Sequence, residues 1–355
     1  MQIANSHISQ ASPCYIIAEA GVNHNGDVGL AHRLVDEAKD SGADAIKFQS
    51  FITENLILPN APKADYQMSS TDASESQYSM LKSLEISFDA LTALKEHCDA
   101  VGIAFICTPY DRESIDFLYS IKASAIKIAS ADMINLPLLE HLRPQENMPL
   151  ILSTGLCSLW EVDYVLNALF GGKNPSNTAL LHCTTEYPAP IEEANLRAIP
   201  TLASALKLPV GFSDHTPGFE ASMVAVSIGA VILEKHFTLD TKMRGPDHQA
   251  SLDPKGFRRF VETVRLTEKM LGDGVKKPVQ SELKNKHRMQ RSLVTLKPVI
   301  EGETLTKEHL TSKRPGTGVS PLYYFNILGK KAKKNIDSEV QISFNDVDWS
   351  GRSDE

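Results

Sequence analysis

The sequence lacks several features that would assign it to whole classes of protein. None of its apolar runs approaches the roughly 18 consecutive residues that cross a bilayer. Its N-terminus has neither the basic start nor the long apolar stretch of a signal peptide. These absences predict a cytoplasmic protein with no membrane segment.

Cysteine is scarce, with five residues in a chain of 355 and no Cys-x-x-Cys spacing. Cysteines inside or beside apolar runs behave as small hydrophobic residues, so neither disulfides nor a cysteine zinc site is expected. A Walker-type glycine-rich loop is also missing, and a bound phosphate would need side chains and strand-end amides instead. The net charge of −8 argues against general affinity for nucleic acid.

What the sequence does contain is eight short apolar runs in its first 240 residues, separated by helix-like stretches. The runs are Tyr15–Ala18, Ala45–Phe48, Ile103–Ile106, Ala125–Ile128, Leu150–Leu152, Ala179–Leu181, Val210–Phe212 and Val231–Leu233. Several are unbroken, as in a parallel sheet covered on both faces. Eight strand-helix repeats predict an α/β fold of the (β/α)8 TIM barrel type. A doubly wound open sheet shares much of this pattern, but the count of eight favours closure.

The strand-helix repeats stop at residue 272, so the predicted barrel domain comprises residues 1–272. The Gly- and Pro-containing stretch that follows predicts a linker over 273–284. Strand-like runs at Leu293–Leu296 and Val299–Leu305 then predict a small second domain over 285–355. Within the barrel, the connection Ser50–Leu84 is long, which is typical of a functional lid or an ordered loop.

Polar and ionisable residues follow every predicted strand. The C-terminal ends of barrel strands converge on one face, where barrel active sites lie. The residues are Glu19, Lys47 and Gln49, Thr108, Lys127 and Ser130, Ser153, Thr184, Ser213 to His215, and Glu234 to His236. For any single residue the ordinary interpretation is a strand-end side chain bonded to a loop. The complete set predicts an active site.

Two histidines and two lysines in this set indicate a chemistry. His215 and His236 follow adjacent strands, and neutral imidazoles suit a divalent metal whose octahedral shell water and substrate oxygens complete. A lone histidine is more often a structural donor. Lys47 and Lys127 interrupt apolar strands, where an unpaired lysine is costly, so they predict an anionic ligand. A lysine Schiff base is the competing interpretation, and it leaves the histidines without a task.

Glu19 and Asp247 are candidate acid-base groups. Asp247 lies in the loop Gly245-Pro246-Asp247-His248, where a simple turn aspartate is the alternative. Arg314 lies in a Gly-rich basic loop of the small domain, a weak signal by itself.

These residues lie in motifs that resemble those of the sialic acid synthase family along almost the whole chain. The motifs are Ile17-Ala18-Glu19-Ala20-Gly21-Val22-Asn23-His24-Asn25-Gly26, Lys47-Phe48-Gln49, Ser153-Thr154-Gly155, His182-Cys183-Thr184-Thr185-Glu186-Tyr187-Pro188, Ser213-Asp214-His215-Thr216, Glu234-Lys235-His236-Phe237-Thr238, Gly245-Pro246-Asp247-His248 and Lys313-Arg314-Pro315-Gly316-Thr317-Gly318. The C-terminal part resembles the antifreeze-like (SAF, β-clip type) domain of these synthases.

The resemblance implies a transferase that condenses phosphoenolpyruvate with an N-acetylmannosamine-type sugar and water, releasing phosphate by C–O cleavage. N-acetylneuraminate is the first expected product. The alternative is N,N'-diacetyllegionaminate, made from 2,4-diacetamido-2,4,6-trideoxymannose, because the loop at residues 61–67 and the stretch 183–188 resemble both kinds of synthase. A pyruvate Schiff-base aldolase and a non-catalytic sugar-binding or ice-binding protein remain as rivals. The resemblance also implies a homodimer in which each subunit lends its small domain to the partner's active site.

Roles are carried over residue by residue from the family's motifs. His215 and His236 would bind Mn²⁺, or Mg²⁺ or Co²⁺ in its place, and form the catalytic set with Glu19. The expected phosphoenolpyruvate ligands are Lys47, Thr108, Lys127, Ser130, Ser153 and Ser213. The expected sugar ligands are Gln49, Asp132, Tyr187, Asp247 and, from the other subunit, Arg314. Thr185 stands where some members have a phosphate-binding asparagine, so that contact is not carried over.

Overall fold

The computed structural model describes residues 1–63, 75–142, 147–173, 175 and 177–350. The chain divides into two compact units, Met1–Gly272 and Asp273–Glu355. The first unit begins with a short antiparallel hairpin of β1 (Gln2–Ile3) and β2 (Ser6–His7).

Eight parallel strands of the first unit close into a barrel, which confirms the predicted fold class. The strands are β3 (Tyr15–Gly21), β4 (Ala45–Ser50), β5 (Ala104–Pro109), β6 (Ala125–Ile128), β7 (Leu150–Ser153), β8 (Thr178–His182), β9 (Val210–Asp214) and β10 (Ile232–His236). Each pairs with the next along the chain, and β10 pairs with β3.

Most of the strands extend beyond the apolar runs that predicted them. His236 is opposite Glu19 in the β10–β3 ladder, and Glu19 is opposite Lys47 in the β3–β4 ladder. Several residues that we expected just after the strands are therefore strand residues. Backbone pairing continues because each strand lies between two neighbours and is buried on both faces.

Helices cover the barrel, and an apolar layer lies between them and the strands. The helices are α1 (Val28–Asp40), α2 (Thr53–Leu56), α3 (Gln77–Leu84), α4 (Phe88–Val101), α5 (Arg112–Ser120), α6 (Leu136–Leu139), α7 (Leu159–Phe170), α8 (Ala198–Leu206), α9 (Glu220–Ser227) and α10 (Pro254–Leu271). Side-chain oxygens cap the N-termini of several of these helices. The Asp27 carboxylate, for example, accepts hydrogen bonds from the backbone amides of Gly29 and Leu30. Among the helices in the described ranges, none is both long and apolar enough to span a bilayer.

The barrel interior is apolar at one end and polar at the other. Side chains two residues apart on a strand share a face, so the inward positions can be followed along each strand. Apolar inward residues form one cluster at the N-terminal ends, which Ile3 and Ile8 join from the β1–β2 region. The next inward positions are polar, as where Ile17 is followed by Glu19 and Ile232 by Glu234. This change places charged groups in the C-terminal half of the barrel.

The connection Ser50–Leu84 contains α2 and α3, and residues 64–74 of it lie outside the described part. Phe51, Met80 and Leu84 are buried in a small apolar cluster with Val22. This cluster anchors α3 beside the loop after β3.

The second unit has its own apolar core, which includes Leu293, Val299 and Leu305. It contains α11 (Gln280–Met289), β11 (Ser292–Thr295), β12 (Leu310–Lys313) and α12 (Tyr324–Ile327), with β11 and β12 antiparallel.

The structure of this region differs from the sequence pattern at two points, while the domain bounds themselves stay a prediction. The predicted linker 273–284 includes the first half of α11, because Glu282 accepts from the Val279 amide and begins a helix. The run Val299–Leu305 is not a strand, since it makes only single bridges, from Val299 to Ile336 and from Thr304 to Lys331.

Candidate active site

A cavity of about 310 Å³ opens at the C-terminal ends of the barrel strands. All the residues that were given catalytic or ligand roles line it except Asp132 and Arg314, whereas Thr184, Asp214 and Lys235 of the strand-end set do not. The residues with such roles that line it are Glu19, Lys47, Gln49, Thr108, Lys127, Ser130, Ser153, Tyr187, Ser213, His215, His236 and Asp247. Barrel closure therefore brings residues from all over the first unit into one site.

Five buried residues form a charged network in the floor of this cavity, here called the inner network (Glu19, Lys47, Lys127, Ser213 and Glu234). Lys47 Nζ lies 2.7 Å from Glu19 Oε2 and 3.9 Å from Glu234 Oε2. Glu234 Oε1 accepts from Lys127 Nζ at 3.1 Å and from Ser213 Oγ at 2.9 Å. Two cations thus face two carboxylates below the space that a ligand would fill.

Glu234 holds this network together, and sequence reasoning gave it no role. The sequence could have indicated this role, because Glu234 lies two positions before His236 on the same strand and its side chain must therefore point to the same inward face. Lys235, between them, points away from the cavity and donates to the carbonyl of Thr216 at 2.6 Å.

The two carboxylates of the inner network have opposite protonation tendencies. Burial raises the pKa of Glu19, and Lys47 only partly opposes the effect. Burial also acts on Glu234, but Lys127 and Lys47 outweigh it and lower that pKa to about 2. Glu234 is therefore a fixed negative charge, whereas Glu19 is the better proton acceptor.

His215 and His236 lie together, with ring centroids 5.4 Å apart. His215 Nδ1 lies 2.7 Å from the carbonyl oxygen of Thr184, so this nitrogen carries the proton and donates. Its Nε2 therefore has a free lone pair, 3.3 Å from Ser213 Oγ. The Tyr187 ring lies against both imidazoles, at 4.3 Å and 5.6 Å between centroids.

Two properties of the histidine pair suit a divalent metal: both rings are neutral, and each has a ring nitrogen available as a ligand. Burial lowers the pKa of His215 to about 4, and burial with the nearby His215 holds the pKa of His236 well below its usual range. Both rings are then neutral near pH 7, and His236 Nδ1 is buried without a hydrogen-bond partner among the described residues. Those residues contain no grouping of three or more His, Cys, Asp or Glu side chains suited to a metal. The two imidazoles could therefore supply only part of a coordination shell.

Hydroxyl groups surround the cavity beside the lysines. Thr108 Oγ1 accepts from Lys47 Nζ at 3.2 Å, and Ser130 Oγ accepts from the Gly155 amide at 3.1 Å. Ser153 Oγ is buried and has no partner in the described part of the chain. A Cβ atom at Gly155 would lie 2.7 Å from Ser130 Oγ, so only glycine leaves this pocket open. Hydroxyl donors next to two lysines suit a bound oxyanion.

The predicted sugar ligands do not all lie in one place. Gln49 Nε2 donates to Glu19 Oε1 at 3.3 Å. Burial raises the pKa of Asp247 to about 7, with a smaller contribution from Glu19. Asp132 accepts from Asn135 Nδ2 at 2.8 Å, in the short turn after β6, and does not line the cavity.

Arg314 is exposed in the second unit, next to β12. Its contact with a sugar stays a prediction, as do the ligand roles of the residues that line the cavity.

One wall of the cavity is apolar, and the sequence left its role open. It comes from the connection after β4. Its lining side chains are Phe51, Leu56, Ile57, Met80, Leu81 and Leu84. Residues 64–67 of the loop that resembles both kinds of synthase lie outside the described residues, and residues 61–63 are not part of the lining.

Comparison with known proteins agrees with this architecture. A model of the NeuB family matches residues 34–276, and a SAF domain model matches residues 290–348. The N,N'-diacetyllegionaminic acid synthase of Campylobacter jejuni is 47% identical, over 92% of this chain and 98% of that one. The enzyme of the same name from Legionella pneumophila is 42% identical, over 94% and 95%.

A solved structure also matches, that of the N-acetylneuraminic acid (sialic acid) synthetase from Leptospira borgpetersenii in complex with citrate. Its TM-score is 0.71 at 35% identity, covering 80% of this chain and 94% of that chain. The chain therefore belongs to the NeuB family and carries a SAF domain in its C-terminal part.

Proposed function

We propose that this enzyme is a nonulosonic acid synthase that makes N,N'-diacetyllegionaminate. It condenses phosphoenolpyruvate with 2,4-diacetamido-2,4,6-trideoxymannose and water, and it releases phosphate. One observation carries the proposal: the cavity joins a floor of lysines, carboxylates and hydroxyls to an apolar wall. The relatives from Campylobacter and Legionella favour this product over N-acetylneuraminate, the first interpretation of the sequence.

Phosphoenolpyruvate would bind at the polar floor. Lys47 and Lys127 would neutralise its phosphate and carboxylate, with Thr108, Ser130, Ser153 and Ser213 as hydroxyl donors. The unpartnered Ser153 Oγ supports this assignment, because a buried hydroxyl without a partner gains a full hydrogen bond when an oxyanion arrives.

The reaction needs one carbon–carbon bond to form and one carbon–oxygen bond to break. C3 of phosphoenolpyruvate attacks the aldehyde carbon of the sugar, whose oxygen takes up a proton from solvent, and C2 becomes electron-deficient. Water adds to C2, and Glu19 accepts the proton that this water releases. The bond between C2 and the phosphate oxygen then breaks, the C2 hydroxyl gives its remaining proton to the departing phosphate, and a ketone and free phosphate are left. Lys47, 2.7 Å from Glu19, would hold that carboxylate in place during the proton transfer.

His215 and His236 would hold a divalent cation, with Mn²⁺ as the first choice and Mg²⁺ or Co²⁺ as substitutes. When bound, such a cation would act as a Lewis acid toward the sugar aldehyde. The Thr184 carbonyl fixes His215 with its Nε2 lone pair free, and Tyr187 shields both rings. Gln49, Tyr187 and Asp247 would contact the sugar.

The apolar wall accounts for the choice of acceptor. The sixth carbon is the far end of the sugar from its reacting aldehyde, and in the trideoxy sugar it is a methyl group. A methyl group gains free energy against Leu81 and Met80, whereas a hydroxyl or a phosphate there would lose its hydration. Discrimination of this kind is typically about 10- to 200-fold.

We further propose a cytoplasmic homodimer with exchanged small domains. All five cysteines are free, as expected in a reducing compartment. Both units expose large apolar side chains, including Trp160 and Tyr164 on α7 and Leu322 and Phe325 near α12. Exposed groups of this kind are typical of interaction surfaces, and the partner subunit's Arg314 would then reach the sugar.

The test is phosphate release from phosphoenolpyruvate by metal-stripped protein, with Mn²⁺ added back. We expect metal-dependent release that is faster with the diacetamido-trideoxy sugar than with N-acetylmannosamine. Equal or better use of N-acetylmannosamine would overturn the choice of product. Activity that persists in chelator, together with borohydride trapping of a lysine, would indicate the Schiff-base aldolase instead. No turnover with either sugar would contradict the proposed reaction.

A pair of variants tests the apolar wall. We expect Leu81→Gln to reduce the preference for the trideoxy sugar by about 10-fold, since a polar side chain no longer disfavours a hydroxyl at the sixth carbon. The control is Leu58→Gln, on the same connection but 78% exposed, which should leave the preference unchanged. An unchanged preference in Leu81→Gln would contradict the proposal that the apolar wall selects the acceptor sugar.

A further inference from the structure

Two motifs contain residues that the proposed reaction does not use. Asn23 and Asn25 lie in the loop after β3, and His248 lies in the loop after β10, next to Asp247. Because β3 and β10 are neighbours in the barrel, both loops leave its C-terminal end side by side. Contacts between them therefore affect Asp247, which lines the cavity.

Asn25 holds the loop after β10 at two points. Its Nδ2 donates to the Arg244 carbonyl at 2.9 Å, and its Oδ1 lies 3.1 Å from His248 Nε2. An amide oxygen can only accept, so His248 Nε2 carries the proton. His248 Nδ1 then accepts from Thr238 Oγ1 at 2.7 Å. Burial lowers the pKa of His248 to about 4, which keeps the ring neutral and this pattern intact.

Asn23 holds the same loop on the other side of Asp247. Its Nδ2 donates to the Phe237 carbonyl at 2.9 Å and to Ser251 Oγ at 3.0 Å. Ser251 Oγ in turn donates to the carbonyl of Asp247 at 2.6 Å. The main chain around Asp247 is thus tied to the loop after β3 from two directions.

At Gly245 the loop after β10 packs closely against Asn25 and its own His248. A Cβ atom at Gly245 would lie 2.8 Å from Asn25 Oδ1 and 2.7 Å from His248 Cδ2. Glycine two residues before Asp247 therefore allows the asparagine and the histidine to meet. Asn23 and His248 are both buried, so their hydrogen bonds are costly to break.

We propose that Asn23, Asn25 and His248 form a clasp that positions Asp247 for the acceptor sugar. The clasp acts on one wall of the cavity, whereas the proposed phosphoenolpyruvate ligands lie on other strands. Loosening it should therefore raise the KM for the acceptor and leave the KM for phosphoenolpyruvate nearly unchanged. The kinetic part rests on the proposed function, but the contacts themselves do not.

Asn25→Gly is the sharpest test, because Asn25 has a φ of +51° that glycine adopts without strain, so only the side chain is lost. We expect the acceptor KM to rise about 10-fold or more, since small misplacements of a binding group are costly. Amide hydrogen exchange over residues 244–251 should become faster. The control is Asn195→Gly, at an exposed asparagine with a φ of +39°, which should change neither quantity.

The conservative variant His248→Gln keeps an N–H donor and should retain most of the acceptor affinity, whereas His248→Leu should lose it. An unchanged acceptor KM in Asn25→Gly, or an equal rise in both KM values, would overturn the clasp as a positioning device. If the unaltered protein turned over no acceptor, the proposed function would fail. The exchange measurement would then decide the clasp alone, and unchanged exchange in Asn25→Gly would refute it.

Discussion

Strands β9 and β10 contribute residues to two buried charged networks, one on each face of the sheet. The inner network faces the cavity. The outer network (Asp214, Thr216, Ser222 and Lys235) faces the surrounding helices and uses the very next residues of each strand, Asp214 after Ser213 and Lys235 after Glu234. Alternation of side chains along a strand sends these neighbours to opposite faces.

The outer network is saturated with partners. Lys235 Nζ donates to the Thr216 carbonyl at 2.6 Å and lies 3.3 Å from Asp214 Oδ1. Asp214 also accepts from the Thr216 amide at 2.9 Å, the Thr216 hydroxyl at 2.7 Å and the Ser222 hydroxyl at 2.5 Å. A buried polar network with every group paired stabilises one arrangement of the chain.

The inner side leaves buried polar atoms without partners in the described part of the structure. They include Ser153 Oγ, His236 Nδ1 and Glu234 Oε2, which lies 3.9 Å from Lys47 Nζ but makes no hydrogen bond within the described ranges. Unpaired buried groups are costly, and a protein retains them where a ligand completes the set. The comparison teaches that burial and charge alone do not identify a functional site. Between these two networks, the atoms without hydrogen bonds mark the one that faces the cavity.

The largest expected contrast comes from replacing one lysine in each network. Lys127→Met should lower kcat/KM by about 10²–10³-fold, because a cation facing the phosphate is lost. Its stability should change less, since Glu234 keeps Ser213 at 2.9 Å and Lys47 at 3.9 Å. Lys235→Met should lower the free energy of unfolding by about 3–5 kcal/mol, because Asp214 loses its cation.

Phosphate-release kinetics and urea unfolding measure the two effects. Equal losses of stability in the two variants would break the comparison, as would a folded Lys235→Met protein without activity.

A smaller contrast comes from two buried serines, each changed to alanine. Ser153→Ala should lower kcat/KM by about 10- to 100-fold while the free energy of unfolding stays the same or rises, since its hydroxyl makes no hydrogen bond to any described residue. Ser222→Ala should lose about 1.5–3 kcal/mol of stability, because its hydroxyl bonds a carboxylate, and keep its activity. The same two assays apply, and a stability loss in Ser153→Ala would show that its hydroxyl is already paired.

The smallest effect concerns pH and the two aspartates, measured in metal-stripped protein. Asp247 has a folded-state pKa raised to about 7 by burial, so its stabilising contribution is complete below the unfolded-state pKa and is lost as the pH rises toward 7. Asp247→Asn removes this dependence, and its stability relative to the unaltered protein should rise by about 1 kcal/mol between pH 6 and pH 8.

The matched variant Asp214→Asn should be destabilised at both pH values, because it weakens bonds that the outer network already makes. Urea unfolding at pH 6 and pH 8 decides the case. A pH-independent difference for Asp247→Asn would mean that the pKa of Asp247 is not raised in the folded protein.

Much of this architecture could be predicted from the sequence, because it depends on local patterns. All eight predicted strands exist, and helices such as α4 (Phe88–Val101) occupy the helix-like stretches between them. Glu234 received no role because one-dimensional reasoning treated Glu234 to His236 as a strand-end group and did not follow the alternation of faces. The β1–β2 hairpin was missed because strands of two residues carry no periodic signal.

The sequence by itself determined the barrel, the side of it that carries the polar residues, and most of the charged and polar residues that line the cavity. It could do so because apolar runs, helix caps and strand-end polar groups are properties of neighbouring residues. Only the tertiary structure decided which polar atoms are paired, that the connection after β4 forms an apolar wall, and that Asn23 and Asn25 hold the loop of Asp247. Those facts depend on distances between groups far apart in the chain, which closure of the barrel sets.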